Sequence, residues 1–109
     1  MEYNFDQVEG QCLVGVFDGH GGASIAEWCG ENFGAYLSEA LKENKEDVGE
    51  AFNAAFTAAD LQIIKDHSRT GTTAATCLLK PCEDGYVLYS ANCGDARAVL
   101  GYSCVNNHF

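Results

Sequence analysis

Five consecutive residues near the N-terminus combine a carboxylate, an imidazole and three glycines: Asp18-Gly19-His20-Gly21-Gly22. The Asp18 carboxylate can offer hard oxygen to Mg²⁺ or Mn²⁺, and the Gly19 carbonyl can add another ligand. The His20 imidazole can donate a proton near neutral pH. The glycines leave room for an ion or a phosphate close to the backbone. This segment is therefore the first candidate for a metal or catalytic site.

An ordinary strand-to-helix turn would also explain these residues. In that arrangement Asp18 caps the following helix and His20 is simply exposed to solvent. The position of the cluster favours a site, because it directly follows the apolar run at residues 12–17 and precedes a helical pattern. Side chains in such a position project from a rigid base.

Periodicity predicts the elements that must position this cluster. The continuous apolar run at residues 12–17 predicts a strand that is buried on both faces. Apolar side chains then recur every three or four residues over 23–41, which predicts an amphipathic helix that begins just after the glycines. A polar, acidic stretch at 43–47 predicts the turn into a second helix, whose apolar stripe covers residues 48–63.

After the second helix the period changes to that of strands. Residues 72–79 are rich in threonine and apolar side chains, and a turn signal at 81–85 precedes the apolar residues 86–89, which predicts a hairpin. A second turn at 92–95 leads into a further predicted strand at 96–100. The order is β-α-α-β-β-β, an α+β class in which two antiparallel helices pack on an antiparallel sheet.

These elements leave apolar surface without cover. A strand that is apolar on both faces and two helices with one apolar stripe each need more cover than three further strands provide. The sequence therefore predicts an open apolar sheet face. Either a partner chain covers that face, or the sequence is part of a larger domain.

Composition narrows the function classes. The 109 residues suit one domain, and six Lys and Arg against sixteen Asp and Glu give a net charge of −10. Such a chain repels phosphate backbones and anionic lipids, so we expect neither nucleic-acid nor membrane binding, whereas metal cations and basic partners fit. The sequence shows neither a signal-peptide pattern nor an apolar run of roughly 18 residues, which predicts a soluble, cytoplasmic protein.

The cysteines are spaced singly rather than in CxxC pairs. Cys12, Cys29, Cys77, Cys93 and Cys104 lie within or beside apolar segments. This pattern predicts small buried residues in a reducing compartment, in preference to disulfides or a zinc site.

Three segments of the chain can be compared with known motifs. Residues 14–22 read Val-Gly-Val-Phe-Asp-Gly-His-Gly-Gly, residues 71–75 read Gly-Thr-Thr-Ala-Ala, and residues 91–100 read Ala-Asn-Cys-Gly-Asp-Ala-Arg-Ala-Val-Leu. In this order, with two helices between the first and the second, they resemble the motifs of the metal-dependent type 2C protein serine/threonine phosphatases. The resemblance covers roughly residues 12–101.

The resemblance implies a sandwich of two antiparallel sheets flanked by helices, with a binuclear manganese or magnesium site at one end. Asp18 would bridge both metals, and the Gly19 carbonyl would bind one of them. A metal-activated water would attack phosphorus in line, and His20 would be the general acid that protonates the leaving seryl or threonyl oxygen. Asp95 matches an acidic residue that the family associates with a third, weaker metal position. The substrate would be a phosphoprotein.

Two of the residues in the third segment have simpler interpretations as well. Asp95 could be an ordinary turn residue after Gly94, and the residues alone do not decide between the two. Arg97 is more simply interpreted as a packed or surface arginine on the following strand.

The chain departs from the family's pattern outside these motifs. The family's phosphate-gripping Arg and its Glu-Asp ligand pair lie further upstream, and Glu2, Asp6 and Glu9 stand in a different context. The later Asp-Gly and Asp-Asn segments would lie beyond Phe109. Because each hard cation takes about six oxygen ligands, we expect weak metal binding and little or no activity from this chain alone.

Three hypotheses follow for residues 1–109. In the first they form a single, incomplete type 2C phosphatase-like domain, truncated or fragmentary, that needs the missing remainder of the domain. In the second they form a catalytically inactive phosphatase-like module that binds or regulates a partner through the open sheet face. In the third they form a homodimer in which two half-domains cover each other's exposed face.

Overall fold

The computed structural model describes residues 1–20, 24–66 and 71–101, except for the side chains of His20 and Asp66. Strands and helices follow the order β1 (Glu2–Tyr3), a 3₁₀ turn (Phe5–Gln7), β2 (Cys12–Val16), β3 (Gly19–His20), α1 (Ser24–Glu43), α2 (Val48–Asp66), β4 (Gly71–Thr72), β5 (Ala74–Cys82) and β6 (Gly85–Cys93).

The strands form one four-stranded antiparallel sheet and one short ladder. The sheet has the order β1-β2-β5-β6, and β3 pairs with β4 separately. The β2 register runs from Cys12 opposite Leu79 to Val16 opposite Ala75. The pairing of β2 with β5 spans the whole helical hairpin in sequence, whereas β5 and β6 are joined by a tight turn.

The two helices form because their apolar residues recur on one face. The residues that α1 buries are Ile25, Cys29, Phe33, Leu37 and Ala40, spaced three or four positions apart. The connection at residues 44–47 ends one helix and caps the next: the Asn44 amide N–H donates to the Ala40 carbonyl, and Asp47 Oδ1 accepts from the Glu50 amide at 3.0 Å.

The core lies between this hairpin and one face of the sheet. Leu13 of β2 and Leu78 of β5 are buried against Phe33, Leu37 and Phe52 of the helices. The β5 side chains alternate between the two faces, since Ala74, Thr76 and Leu78 are buried while their neighbours are half-buried. The buried Thr76 hydroxyl donates to the Ala91 carbonyl at 2.6 Å, so its burial leaves no donor unpaired.

The opposite face of the sheet, here called the outer face, is apolar and uncovered. It is formed by Cys12, Val14, Val16, Ala75, Cys77, Leu79, Tyr86, Leu88 and Ser90, because residues paired across antiparallel strands share a face. Val16 is 64% exposed and Tyr86 is 62% exposed. The predicted open apolar face is confirmed for the described residues.

The α+β class is confirmed, with two helices and an antiparallel sheet close to the predicted segments. The strand predicted to be buried on both faces is buried on one only, because the helices cover a single side of the sheet. The predicted strand at 96–100 is not formed. Val99 is 86% exposed, so this segment gains little burial to offset the entropy of ordering it as a strand.

The cysteine prediction is wrong in part. Cys29 is buried as predicted, but Cys12 and Cys77 are half-buried and Cys93 is exposed, because the outer face and the end of β6 lack cover. All cysteines of the described residues are free thiols. Cys104 lies outside the described residues. No helix of the described segments is both long and apolar enough to span a bilayer.

Candidate functional site

Asp18 stands just past the end of β2, and backbone hydrogen bonds fix its position. The Asp18 carbonyl accepts a hydrogen bond from the Thr73 amide at 3.0 Å. The next two residues pair with β4, with Gly19 opposite Thr72. The chain leaving β2 is therefore tied to the start of β5, while the Asp18 side chain stays exposed.

Asp95 lies at the same end of the sheet as Asp18, because β6 pairs with β5 on the side opposite to β2. The turn that follows β6 contains Gly94 at φ +81°, a conformation that L side chains rarely adopt. A Cβ on Gly94 would lie 3.0 Å from Thr73 Cγ2, so the turn packs closely on the residue that holds Asp18. A glycine is needed here both for its backbone angle and for this close approach.

The two carboxylates line one cavity, here called the site cavity. Its volume is about 390 Å³, and its lining residues are Val16, Asp18, Thr73, Ala75, Asp95, Ala96 and Arg97. It opens at the end of the sheet where β2 and β6 finish, on the side of the outer face. Residues from the first, second and third motif segments thus meet at one place.

The charges in the site cavity suit both a cation and a phosphate group. Asp18 and Asp95 are exposed carboxylates, and Arg97 brings a guanidinium to the same wall. Among the described side chains, Arg97 forms no ion pair with either carboxylate. A guanidinium matches the geometry of phosphate oxygens, so an arginine in this position can orient a phosphate while the carboxylates bind a cation.

The structure brings together some of the predicted site residues. Asp18 and Asp95 share the site cavity, and Gly19 lies beside it as part of β3. The backbone of His20 pairs with Gly71, whereas its imidazole lies outside the described atoms, as do residues 21–23. Where the imidazole stands relative to the carboxylates therefore remains a prediction.

Sequence reasoning missed two contributions to the site. Arg97 is exposed, in agreement with its interpretation as a surface arginine, and the structure adds that it lines the site cavity. Thr73 belongs to the second motif segment but has no predicted role there, yet it contacts the Gly94 turn and hydrogen-bonds Asp18. The position of Thr73 in the Gly-Thr-Thr segment was a signal that could have indicated its role. No spacing of residues in the sequence indicated that Arg97 lies on the cavity wall.

Oxygen donors of this kind fit Mg²⁺ or Mn²⁺ in chemical type, because hard cations prefer carboxylate and carbonyl ligands. Their number is small. Within residues 1–20, 24–66 and 71–101, no group of three or more His, Cys, Asp or Glu side chains is placed to hold a metal ion. The described residues therefore supply part of a shell that takes about six ligands.

Comparisons with known proteins agree on one family. The family model for "Protein phosphatase 2C" matches residues 2–108. Protein phosphatase 2C homolog 3 of Schizosaccharomyces pombe is 39% identical over 89 residues, which cover 79% of this chain and 21% of the relative. Probable protein phosphatase 2C 45 of Oryza sativa subsp. japonica is 37% identical over 106 residues, which cover 91% of this chain and 35% of that protein. The chain thus spans about a fifth to a third of these relatives.

Proposed function

The chain belongs to the protein phosphatase 2C family, and from that membership we propose that its site cavity is part of the catalytic centre of a protein serine/threonine phosphatase. The observation that carries the proposal is the meeting of Asp18 and Asp95 in one cavity. The ends of β2 and β6 bring these residues together from distant parts of the chain.

The roles of the individual residues follow from their chemistry. Asp18 and Asp95, with the Gly19 carbonyl, hold one or more Mg²⁺ or Mn²⁺ ions. Such an ion, when bound, supplies positive charge for the phosphate and lowers the pKa of a water ligand. His20 donates a proton to the leaving seryl or threonyl oxygen of a phosphoprotein. Arg97 orients the phosphate from the cavity wall.

We propose further that residues 1–109 form part of a single domain. The donors in the site cavity are too few for a complete ligand shell, and the chain spans 21% of one relative and 35% of another. Phosphoryl transfer depends on the positioning of the reactants and on electrostatic stabilisation of the transition state, and missing metal ligands weaken both. The 109-residue chain on its own therefore turns substrate over slowly or not at all.

The test is hydrolysis of a phosphothreonine peptide by the purified chain, with and without Mn²⁺. Asp18→Ala removes the proposed ligand, and Asp84→Ala is the matched control, because Asp84 is an exposed acid in the β5–β6 turn at the other end of the sheet. Manganese-dependent turnover that Asp18→Ala abolishes and Asp84→Ala retains would show a working centre. If all three proteins give the same background rate, the chain alone is not an enzyme.

A second candidate function is a non-catalytic module that binds a partner, or a second copy of the chain, through the outer face. The exposed Val16, Tyr86 and Leu88 favour it, because contiguous apolar surface of this kind marks interaction sites. Light scattering after size-exclusion chromatography distinguishes a dimer from a monomer. A monomer at all concentrations, in wild type and in Tyr86→Lys alike, would exclude self-association through this face.

We propose that the protein is cytoplasmic. The free thiols of the described cysteines support a reducing compartment, where disulfides are rare. Labelling of the chain in cells followed by fractionation would test this location, and recovery in an oxidising compartment would contradict it.

A further inference from the structure

A second cavity lies between the helices and the sheet, and it shares no lining residue with the site cavity. Here called the helix–sheet cavity, it has a volume of about 320 Å³, at the small end of the range for ligand pockets. The segment at residues 72–75 separates the two cavities: Thr72 and Ala74 line the helix–sheet cavity, while Thr73 and Ala75 line the site cavity.

Three of the eleven described residues that line the helix–sheet cavity are phenylalanines, and their rings form one cluster. Phe33 and Phe56 stack with ring centroids 5.0 Å apart, and Phe17 meets Phe33 edge-on at 6.0 Å. A flat ring can extend such a cluster, because aromatic pairs gain more than the burial of their area alone. This cluster therefore favours an aromatic ligand over an aliphatic one.

Among the described residues, one formal charge lines this cavity. It belongs to Asp60 of α2, an exposed residue, and no Lys or Arg of the described segments lines the cavity. Within the described residues Asp60 forms no ion pair. A chain of net charge −10 also concentrates cations at its surface. Charge complementarity thus selects a cation rather than an acid.

We propose that the helix–sheet cavity binds a small aromatic amine. The ring inserts among Phe17, Phe33 and Phe56, and the ammonium group lies next to the Asp60 carboxylate. The faces of the phenylalanine rings also attract a nearby cation, and this attraction adds to that of the carboxylate. This site is separate from the proposed phosphatase site and needs neither metal nor phosphopeptide.

The test is a titration of the isotope-labelled chain with 2-phenylethylamine, in which two-dimensional NMR records the amide chemical shifts. The buffer contains about 0.3 M salt to screen non-specific charge attraction. We expect saturable shifts at Phe56, Ile63 and Thr72. The matched ligand control is 3-phenylpropionate, which has a similar ring and chain but the opposite charge. It should bind more weakly by up to about fivefold, the upper end of the range for one exposed charge pair.

Two variants make the result specific. Asp60→Asn should remove the preference for the amine over the acid, and it should not disturb the fold because Asp60 is exposed. Asp84→Asn, with the same charge change in the β5–β6 turn, should keep the preference. Equal binding of amine and acid to the wild type, shifts spread over the acidic surface, or no saturable shift would each overturn the proposal. These readouts are independent of phosphatase activity, so either proposal can fail alone.

Discussion

Asp18 and Asp95 are held by the backbone around them rather than by bonds to their own carboxylates. The Asp18 carbonyl is tied to the Thr73 amide, and Asp95 follows a glycine turn that packs on the Thr73 side chain. Within the described residues, neither carboxylate makes a hydrogen bond or an ion pair. No described group therefore competes with an ion for their oxygen lone pairs.

Replacing Asp18 by Asn tests this arrangement directly. Asp18→Asn keeps the shape of the side chain but removes its charge, so we expect Mn²⁺ affinity to fall by about tenfold, equivalent to ~1.4 kcal/mol. Titration calorimetry measures the affinity, and an unchanged circular dichroism spectrum checks the fold. Asp84→Asn provides the control for the change in net charge. Equal losses in both variants would mean that Mn²⁺ binds diffusely to the acidic surface.

The Cys29 thiol gives a second prediction at the scale of one residue. Burial raises the pKa of this thiol above its ordinary value, because the thiolate is poorly solvated inside the protein. The resulting stability is fully present below the ordinary thiol pKa of about 8.5 and is lost as pH rises through the raised value. Urea unfolding of wild type and Cys29→Ala on both sides of that pH, under reducing conditions, measures the effect. The wild type should lose more stability with rising pH than the variant, and parallel losses would contradict this.

The sequence motifs indicate the candidate site residues, but they do not predict how those residues meet in space. Asp18 was predictable as a candidate because its signal is local in the sequence: it stands where an apolar strand ends and a glycine-rich segment begins. The meeting of Asp18 with Asp95 was implied only by family resemblance, since it depends on a contact between Thr73 and Gly94 that no spacing rule contains. Arg97 was missed because an arginine after a turn has no pattern that separates a cavity wall from open surface.

At the scale of elements, the Gly94 turn should control the site cavity. Gly94→Ala places a Cβ at φ +81° and 3.0 Å from Thr73 Cγ2, which costs roughly 1–2 kcal/mol in backbone strain and forces the turn to move. We expect a several-fold loss of Mn²⁺ affinity, because Asp95 moves with the turn. Gly30→Ala in α1 is the control, since its Cβ would meet nothing within 4 Å. If Gly30→Ala weakened Mn²⁺ binding equally, the special role of Gly94 would be refuted.

The helical hairpin depends on the packing of its buried stripe. Leu37 is fully buried between the hairpin and the sheet, so Leu37→Ala should lower the free energy of unfolding by about 3 kcal/mol. Leu61→Ala is the same substitution at a helix position that is 60% exposed, and it should change stability by less than ~0.5 kcal/mol. Chemical denaturation of both variants measures the difference. Similar values for the two would show that the hairpin does not pack on the sheet as described.

The long elements were predictable and the short ones were not. Both helices repeat their apolar spacing over several turns, and the hairpin of β5 and β6 has a clear turn signal. By contrast β1, β3 and β4 have two residues each, which is too short to show a period. The strand predicted at 96–100 failed for another reason: a strand needs a neighbour for its backbone groups, and the segment alone cannot specify one.

For the whole molecule, net charge opposes folding. A charge of −10 on 109 residues repels itself more in the compact state than in the unfolded chain. Raising the salt concentration from about 0.02 M to about 0.3 M shortens the screening length severalfold, so the melting temperature should rise by a few degrees. Calorimetry in NaCl measures this, with an uncharged osmolyte series as the comparison. A melting temperature that falls with NaCl would mean that attractive ion pairs dominate.

The order of the strands in the sheet also determines which parts of the chain can assemble first during folding. The helical hairpin and the β5–β6 hairpin bring together residues close in the chain, and such contacts form quickly because the loops they close are short. β2 must instead be inserted beside β5 across the whole helical hairpin, which carries a larger loop-closure entropy. The rate-limiting step of folding should therefore be the docking of β2. Since Asp18 directly follows β2, the proposed metal ligands would be the last part of the chain to meet.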